Sequence, residues 1–137
     1  MENITIRKVE QNEIAVVREL FEKVFKETFS SQVPAFEETT RGEQIYVAVM
    51  DHKIAGMASV WEPDNFIHYL FVDSSYRNRG VGKVMVTKLA ELSGSLLTLK
   101  CLIENEKGMA FYYVTGWKEI EKGMCEDGEY ALLSYLV

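Results

Sequence analysis

The sequence has no uninterrupted apolar run of the roughly 18 residues that a membrane-crossing helix requires. Its opening, "MENITIRKVEQNE", lacks the apolar core of a secretory signal. No membrane association is expected. Cysteine is scarce: Cys101 and Cys125 are far apart, with no CxxC pair and no histidine nearby. That argues against a zinc site or a disulfide framework and fits a reducing, cytoplasmic setting. Positive charge is in deficit, with a net charge of -6 and a pI near 5.0. This balance disfavours nucleic-acid binding and suits a cationic or amine-bearing partner. Repeats, low-complexity segments and linkers are also missing. With 47% hydrophobic and 26% charged residues over 137 positions, one globular domain spanning 1–137 is expected, large enough to need no staples.

The periodicities then give an order of elements. "ITIRKV" (4–9) alternates as a strand does, and Ile14, Val17, Leu20, Phe21, Val24 and Phe25 form one apolar helical stripe. A loop follows, with room for a short helix after Pro34. "QIYVAVM", "KIAGMASVW" and "NFIHYLFVD" read as three strands, the first two joined by a tight turn at "DHK". The third is apolar on both faces, Phe66, Leu70 and Val72 on one and Ile67, Tyr69 and Phe71 on the other, as befits a central strand of a covered sheet. A helix over 80–92, a strand over 96–103, a helix over 105–116 capped by Gly116, and a hairpin about Asp127 and Gly128 complete the chain. The strand–helix–strand unit implies a parallel pair inside a mixed sheet with helices on both faces, an α/β or α+β class.

The stretch "FVDSSYRNRGVGK" carries the clearest chemical signal. Gly80 and Gly82 stand where strand passes to helix, and Arg77, Arg79 and Lys83 surround them. Free N–H groups in a helix's first turn, its dipole and these cations together suit a phosphate or pyrophosphate. A structural glycine turn with solvated charges is the alternative. Two nucleotide motifs are excluded: only one residue separates Gly80 from Gly82, so GxxxxGK[ST] is absent, and Met85 breaks GxGxxG.

Arg77-x-x-Gly80-x-Gly82, after a strand ending in Val72, resembles the acetyl-CoA motif of the GNAT superfamily of N-acetyltransferases. "NEKGMAFYYVTGW" resembles that family's second signature; Ser74 in the first stretch and Gly108 and Tyr113 in the second depart from the family's usual residues. The resemblance extends over nearly the whole chain. It implies a mixed, mostly antiparallel twisted sheet of about seven strands flanked by about four helices, with acetyl-CoA as cofactor and a small or peptide amine as acceptor. The amides from Arg77 through Asn78, Arg79, Gly80, Val81 and Gly82 to Lys83 would hold the pyrophosphate. The main chain at Phe71 and Val72 would pair with the pantetheine arm, Asn105 would hydrogen-bond it, and Tyr112 would lie near the thioester sulfur as general acid.

Three candidates remain for the base: His68, whose intrinsic pKa suits the task and which strand alternation places with Leu70 and Val72; Glu62, at the end of the preceding strand; or ordered water. Nothing in the sequence activates Cys101 as a nucleophile. The loop from Ser30 to Gly42 and the last hairpin would form the acceptor pocket. Glu37, Glu38 and Glu43 flank the first, and Glu126, Asp127 and Glu129 the second. The expected activity is direct acetyl transfer in a ternary complex by a monomer or homodimer. A non-catalytic acyl-CoA-binding module is the competing expectation.

Overall fold

The computed structural model describes residues 3–136; Met1, Glu2 and Val137, the last of which was assigned to the final strand, lie outside the described residues. Seven strands form one sheet in the order β1-β2-β3-β4-β5-β7-β6. They are β1 (Ile4–Lys8), β2 (Gln44–Met50), β3 (Lys53–Trp61), β4 (Phe66–Val72), β5 (Leu97–Leu102), β6 (Lys118–Cys125) and β7 (Gly128–Tyr135). Every neighbouring pair is antiparallel except β4 and β5. The helices are α1 (Ile14–Thr28), α2 (Phe36–Thr39), α3 (Val81–Ser93) and α4 (Glu106–Val114). No helix among the described residues is long and apolar enough to cross a membrane.

The expected mixed sheet with about four helices is thus observed, and local chemistry accounts for its turns. Asp51 and His52 both adopt left-handed backbone between Met50 and Lys53, the conformation that a two-residue hairpin needs to match strand twist. At the last hairpin Gly128 already pairs with Cys125, so Glu126 and Asp127 form the turn, one residue earlier than expected. Gly116 has φ +103°, as a residue terminating α4 should.

Two cores cover the two faces. On one, α1 buries Val17, Leu20, Phe21, Val24 and Phe25 with Phe36 of α2 against Val47, Met57, Tyr69 and Phe71. On the other, α3 buries Val81, Met85, Val86, Leu89 and Ala90 against Ala58, Val60, Leu99 and Leu133, with Phe111 and Tyr112 of α4 packed beside them.

The faces of β4 differ from simple alternation. Val60 pairs with Ile67 and Ser59 with Tyr69, so His68 is an extra residue, a β-bulge. The bulge shifts the period. Ile67 joins the α3-side core, while Tyr69 and Phe71 face α1. His68 does not share a face with Leu70 and Val72; its ring stacks on Tyr69 at 4.0 Å and 22°.

Phe21 is the hub of the α1-side core. Its ring lies 4.9 Å from Tyr69, edge-on at 84°, and 5.3 Å from Phe36, centroid to centroid. Phe21→Ala is expected to cost about 3–5 kcal/mol, the range for emptying a fully buried aromatic site. Denaturant unfolding with an unchanged slope checks this.

Candidate active site

β4 and β5 touch only at Phe66–Thr98 and Ile67–Leu99. Beyond Ile67 they part, and β5 continues in register with β7. The later half of β4 therefore presents one edge without a β5 partner. Asp73 donates its N–H to Ala55 O, and Phe71 sits two residues back in the same phase, in register with Met57. By the period of an antiparallel ladder, the polar backbone groups of Phe71 turn toward β3 and those of Leu70 and Val72 toward the gap. The Phe71 side chain fills the α1-side core, and the residues whose backbone groups line the open edge are Leu70 and Val72. The Val72 carbonyl accepts from Arg77 Nε at 3.2 Å.

α3 begins at the mouth of this gap. Gly80 is its N-cap, at φ +84°, and supplies no side-chain cap. The first intrahelical bond runs from Val84 N to Gly80 O, so the N–H groups of Val81, Gly82 and Lys83 have no acceptor within the helix. Asn78 is also left-handed, at φ +63°. Left-handed residues ahead of an uncapped helix turn backbone N–H groups toward one concavity, which suits an anion.

The arginines contribute less charge to this cradle than their positions imply. Arg77 pairs with Glu27 at 3.1 Å, and Arg79 pairs with Asp51 at 3.5 Å while lying over the Tyr76 ring. Lys23 of α1 reaches Asp73 at 2.8 Å and ties the loop to the first helix.

The two glycines have different work. A Cβ on Gly80 would meet nothing, and its need is the positive φ. A Cβ on Gly82 would sit 3.0 Å from Phe111 Cζ, so this glycine admits the close approach of α4 to α3.

α4 is capped by Asn105, whose Oδ1 accepts from Gly108 N at 3.1 Å. A Cβ on Gly108 would lie 2.5 Å from Asn105 Nδ2, which accounts for glycine at that departure from the family pattern. With Oδ1 committed to the cap, Nδ2 is the group with which Asn105 would reach a ligand.

Tyr112 packs edge-on to Phe111 and Trp117, with ring centroids 5.2 and 5.6 Å away. The residue as a whole is half-buried. Burial of its phenol, with Cys101 close by, raises its pKa well above the usual tyrosine value. The Cys101 thiol is itself pushed up to about 11 by burial. Tyr112 thus stands over β5 beyond the point where β4 leaves it.

The α1 face of β4 carries different chemistry. His68 Nδ1 lies 2.9 Å from Glu43 Oε2, and Glu43 Oε1 accepts from Ser59 Oγ in a close contact. Tyr69 hydrogen-bonds Thr39 Oγ1 at 2.7 Å. Glu62 is elsewhere: its Oε2 accepts from Tyr46, whose ring belongs to the α3-side core. The structure does not bring Glu62 and His68 together.

The loop after α1 and the last hairpin do meet. Asp127 accepts from Ser31 N at 2.9 Å and from Ser31 Oγ at 3.1 Å. Glu37 instead pairs with Arg18 on the surface. Glu43 and Asp127, expected to flank the acceptor pocket, are both engaged by partners within the protein. Ser59, a fully buried hydroxyl within an apolar strand, was the signal that a polar partner lay nearby.

The sequence model of the acetyltransferase (GNAT) family matches residues 14–117. Among solved structures, the ribosomal-protein-S18-alanine N-acetyltransferase of Escherichia coli superimposes with a TM-score of 0.76 at 15% identity, over 98% of this chain and 94% of that one. A spermidine N-acetyltransferase SpeG variant (N152L) from Vibrio cholerae gives 0.76 at 14% identity, over 97% and 93%. The Salmonella typhimurium protein yncA, solved with its cofactor acetyl-CoA, gives 0.76 at 12% identity, over 97% and 93%. The chain shares its fold with these proteins along nearly its whole length, and on the family match it belongs to the acetyltransferase (GNAT) family, whose cofactor is acetyl-CoA.

Proposed function

We propose that residues 1–137 form one N-acetyltransferase domain that moves the acetyl group of acetyl-CoA directly to an amine, with His68 as general base and Tyr112 as general acid. What supports this reading is that β4 and β5 stop pairing at Ile67, that a desolvated phenol packs on the α3 face, and that the next residue, His68, carries its ring on the α1 face. Acetyl-CoA supplies an activated acyl thioester. The backbone from Arg77 to Lys83 would hold its pyrophosphate, and the open edge at Leu70 and Val72 would pair with its amide-bearing arm. Asn105 Nδ2 would donate to that arm. Arg77 would have to leave the Val72 carbonyl for the pairing to form.

An alkylammonium must lose a proton before its nitrogen can attack. His68 Nε2 takes that proton on the α1 side. Tyr112, kept protonated by burial, donates from its hydroxyl on the α3 side. The acceptor would enter between the loop after α1 and the last hairpin, which Asp127 holds together. The acidic balance of the chain favours a cationic amine, whether small or carried by a peptide. The high pKa of Cys101 keeps its thiol protonated near neutral pH, which supports direct transfer over an acetylated cysteine. The proposed location is the cytoplasm.

Tyr112→Phe is expected to lower kcat by about a hundredfold with acetyl-CoA affinity unchanged, and His68→Ala to flatten the acidic limb of the pH–rate profile. Free-thiol release from acetyl-CoA across a panel of amines and peptides measures both. No release with any amine would leave a binding module instead. Gly82→Asp sets a carboxylate in the first turn of α3 and against Phe111, and calorimetry should show acetyl-CoA affinity falling by at least about tenfold. An unchanged Kd would refute the cradle. Iodoacetamide at neutral pH should label exposed Cys125 and spare buried Cys101 in the native protein, as peptide mapping would show.

A further inference from the structure

Glu43 directly precedes β2, and its side chain is only 10% exposed. Both of its oxygens are engaged, Oε1 by Ser59 and Oε2 by His68. An acid so occupied has little capacity left to attract an acceptor cation from solvent. It does have the geometry to fix a ring. A carboxylate only accepts hydrogen bonds, so the hydrogen lies on Nδ1 of His68 and the lone pair of the neutral ring lies on Nε2. Tyr69 supports the face of the same ring, and the Tyr69 hydroxyl is held by Thr39. His68 is thus constrained at one edge and one face, although its side chain is 35% exposed.

We propose that Glu43 is a positioning residue, which fixes His68 in the Nδ1–H form with Nε2 as the atom that accepts the proton and is itself held by Ser59. The proposal rests on the reading of His68 as general base. The balance is simple. The amine N–H bond breaks as Nε2 gains the proton, the ring becomes an imidazolium, and Glu43 stays ionised and stabilises that charge across the Nδ1–H bond. The ring returns its proton to solvent from Nε2. A purely structural pin at the start of β2 would require neither a fixed tautomer nor a dependence of turnover on Glu43.

The chain has two histidines, so long-range proton–nitrogen NMR of the full protein can be assigned with His52→Gln. The wild-type spectrum is expected to show His68 as the Nδ1–H form. Glu43→Ala should shift it toward Nε2–H and lower kcat about ten- to a hundredfold without moving the KM for acetyl-CoA. Glu43→Gln, whose amide oxygen still accepts from Nδ1–H, should keep the tautomer and recover part of the loss. In a His68→Ala background neither change should have a further effect. A wild-type Nε2–H tautomer overturns the proposal, and so do Glu43 and His68 effects that multiply. If His68→Ala cripples turnover while both Glu43 variants keep full kcat, only the positioning role fails. If His68→Ala keeps full turnover, the base reading fails and takes the positioning role with it.

Discussion

One extra residue in β4 determines most of what this sheet can do. With His68 inserted between the pairs Val60–Ile67 and Ser59–Tyr69, the strand bends and its side-chain phase changes. Ile67 anchors one core, and Tyr69 and Phe71 anchor the other. Contact with β5 ends at Ile67. Beyond the bulge lies a wedge whose β4 wall has no β5 partner, and backbone without a protein partner is tolerated only where water or a ligand can satisfy it.

The wedge separates two kinds of chemistry. Its α3 side offers a helix terminus, a left-handed turn and a desolvated phenol. The α1 face of β4 offers hydroxyls, a carboxylate and an imidazole. The acidic composition fits this division. Glu27 and Asp51 engage the arginines of the turn, so the attraction for an anion rests more on fixed backbone dipoles than on net charge. Dipoles held by the fold need no reorganisation when a ligand arrives, whereas flexible exposed ion pairs contribute little.

Much of this was legible in the sequence wherever the signal was local. The α1 stripe, the "DHK" hairpin, the strand–turn–helix at Gly80 and the Asn105 cap all follow from residues within a few positions of one another. Failures arose where a contact spans sequence distance or breaks a period. Alternation misplaced His68 and Ile67 because a bulge leaves no composition mark. The backbone phase at Phe71 is set by β3, which alternation within β4 does not report. The link from Glu43 to His68 was not legible because its partners, Ser59 and His68, come from later strands. Gly82 was read as part of the cradle, and its packing against Phe111 depends on a helix that begins more than twenty residues later.

The Asp127 contact has a consequence for how such a protein can change. One carboxylate at the tip of the last hairpin bonds Ser31, far away in sequence, and ties two surface loops together. Loops accept insertions, deletions and new residues far more readily than helix termini or sheet edges do. A lineage can therefore exchange this wall by lengthening either loop and re-forming a single tether. The turn at Gly80 and the wedge beside β4 stay intact, so under the proposed function selectivity for the acceptor would diversify independently of cofactor binding.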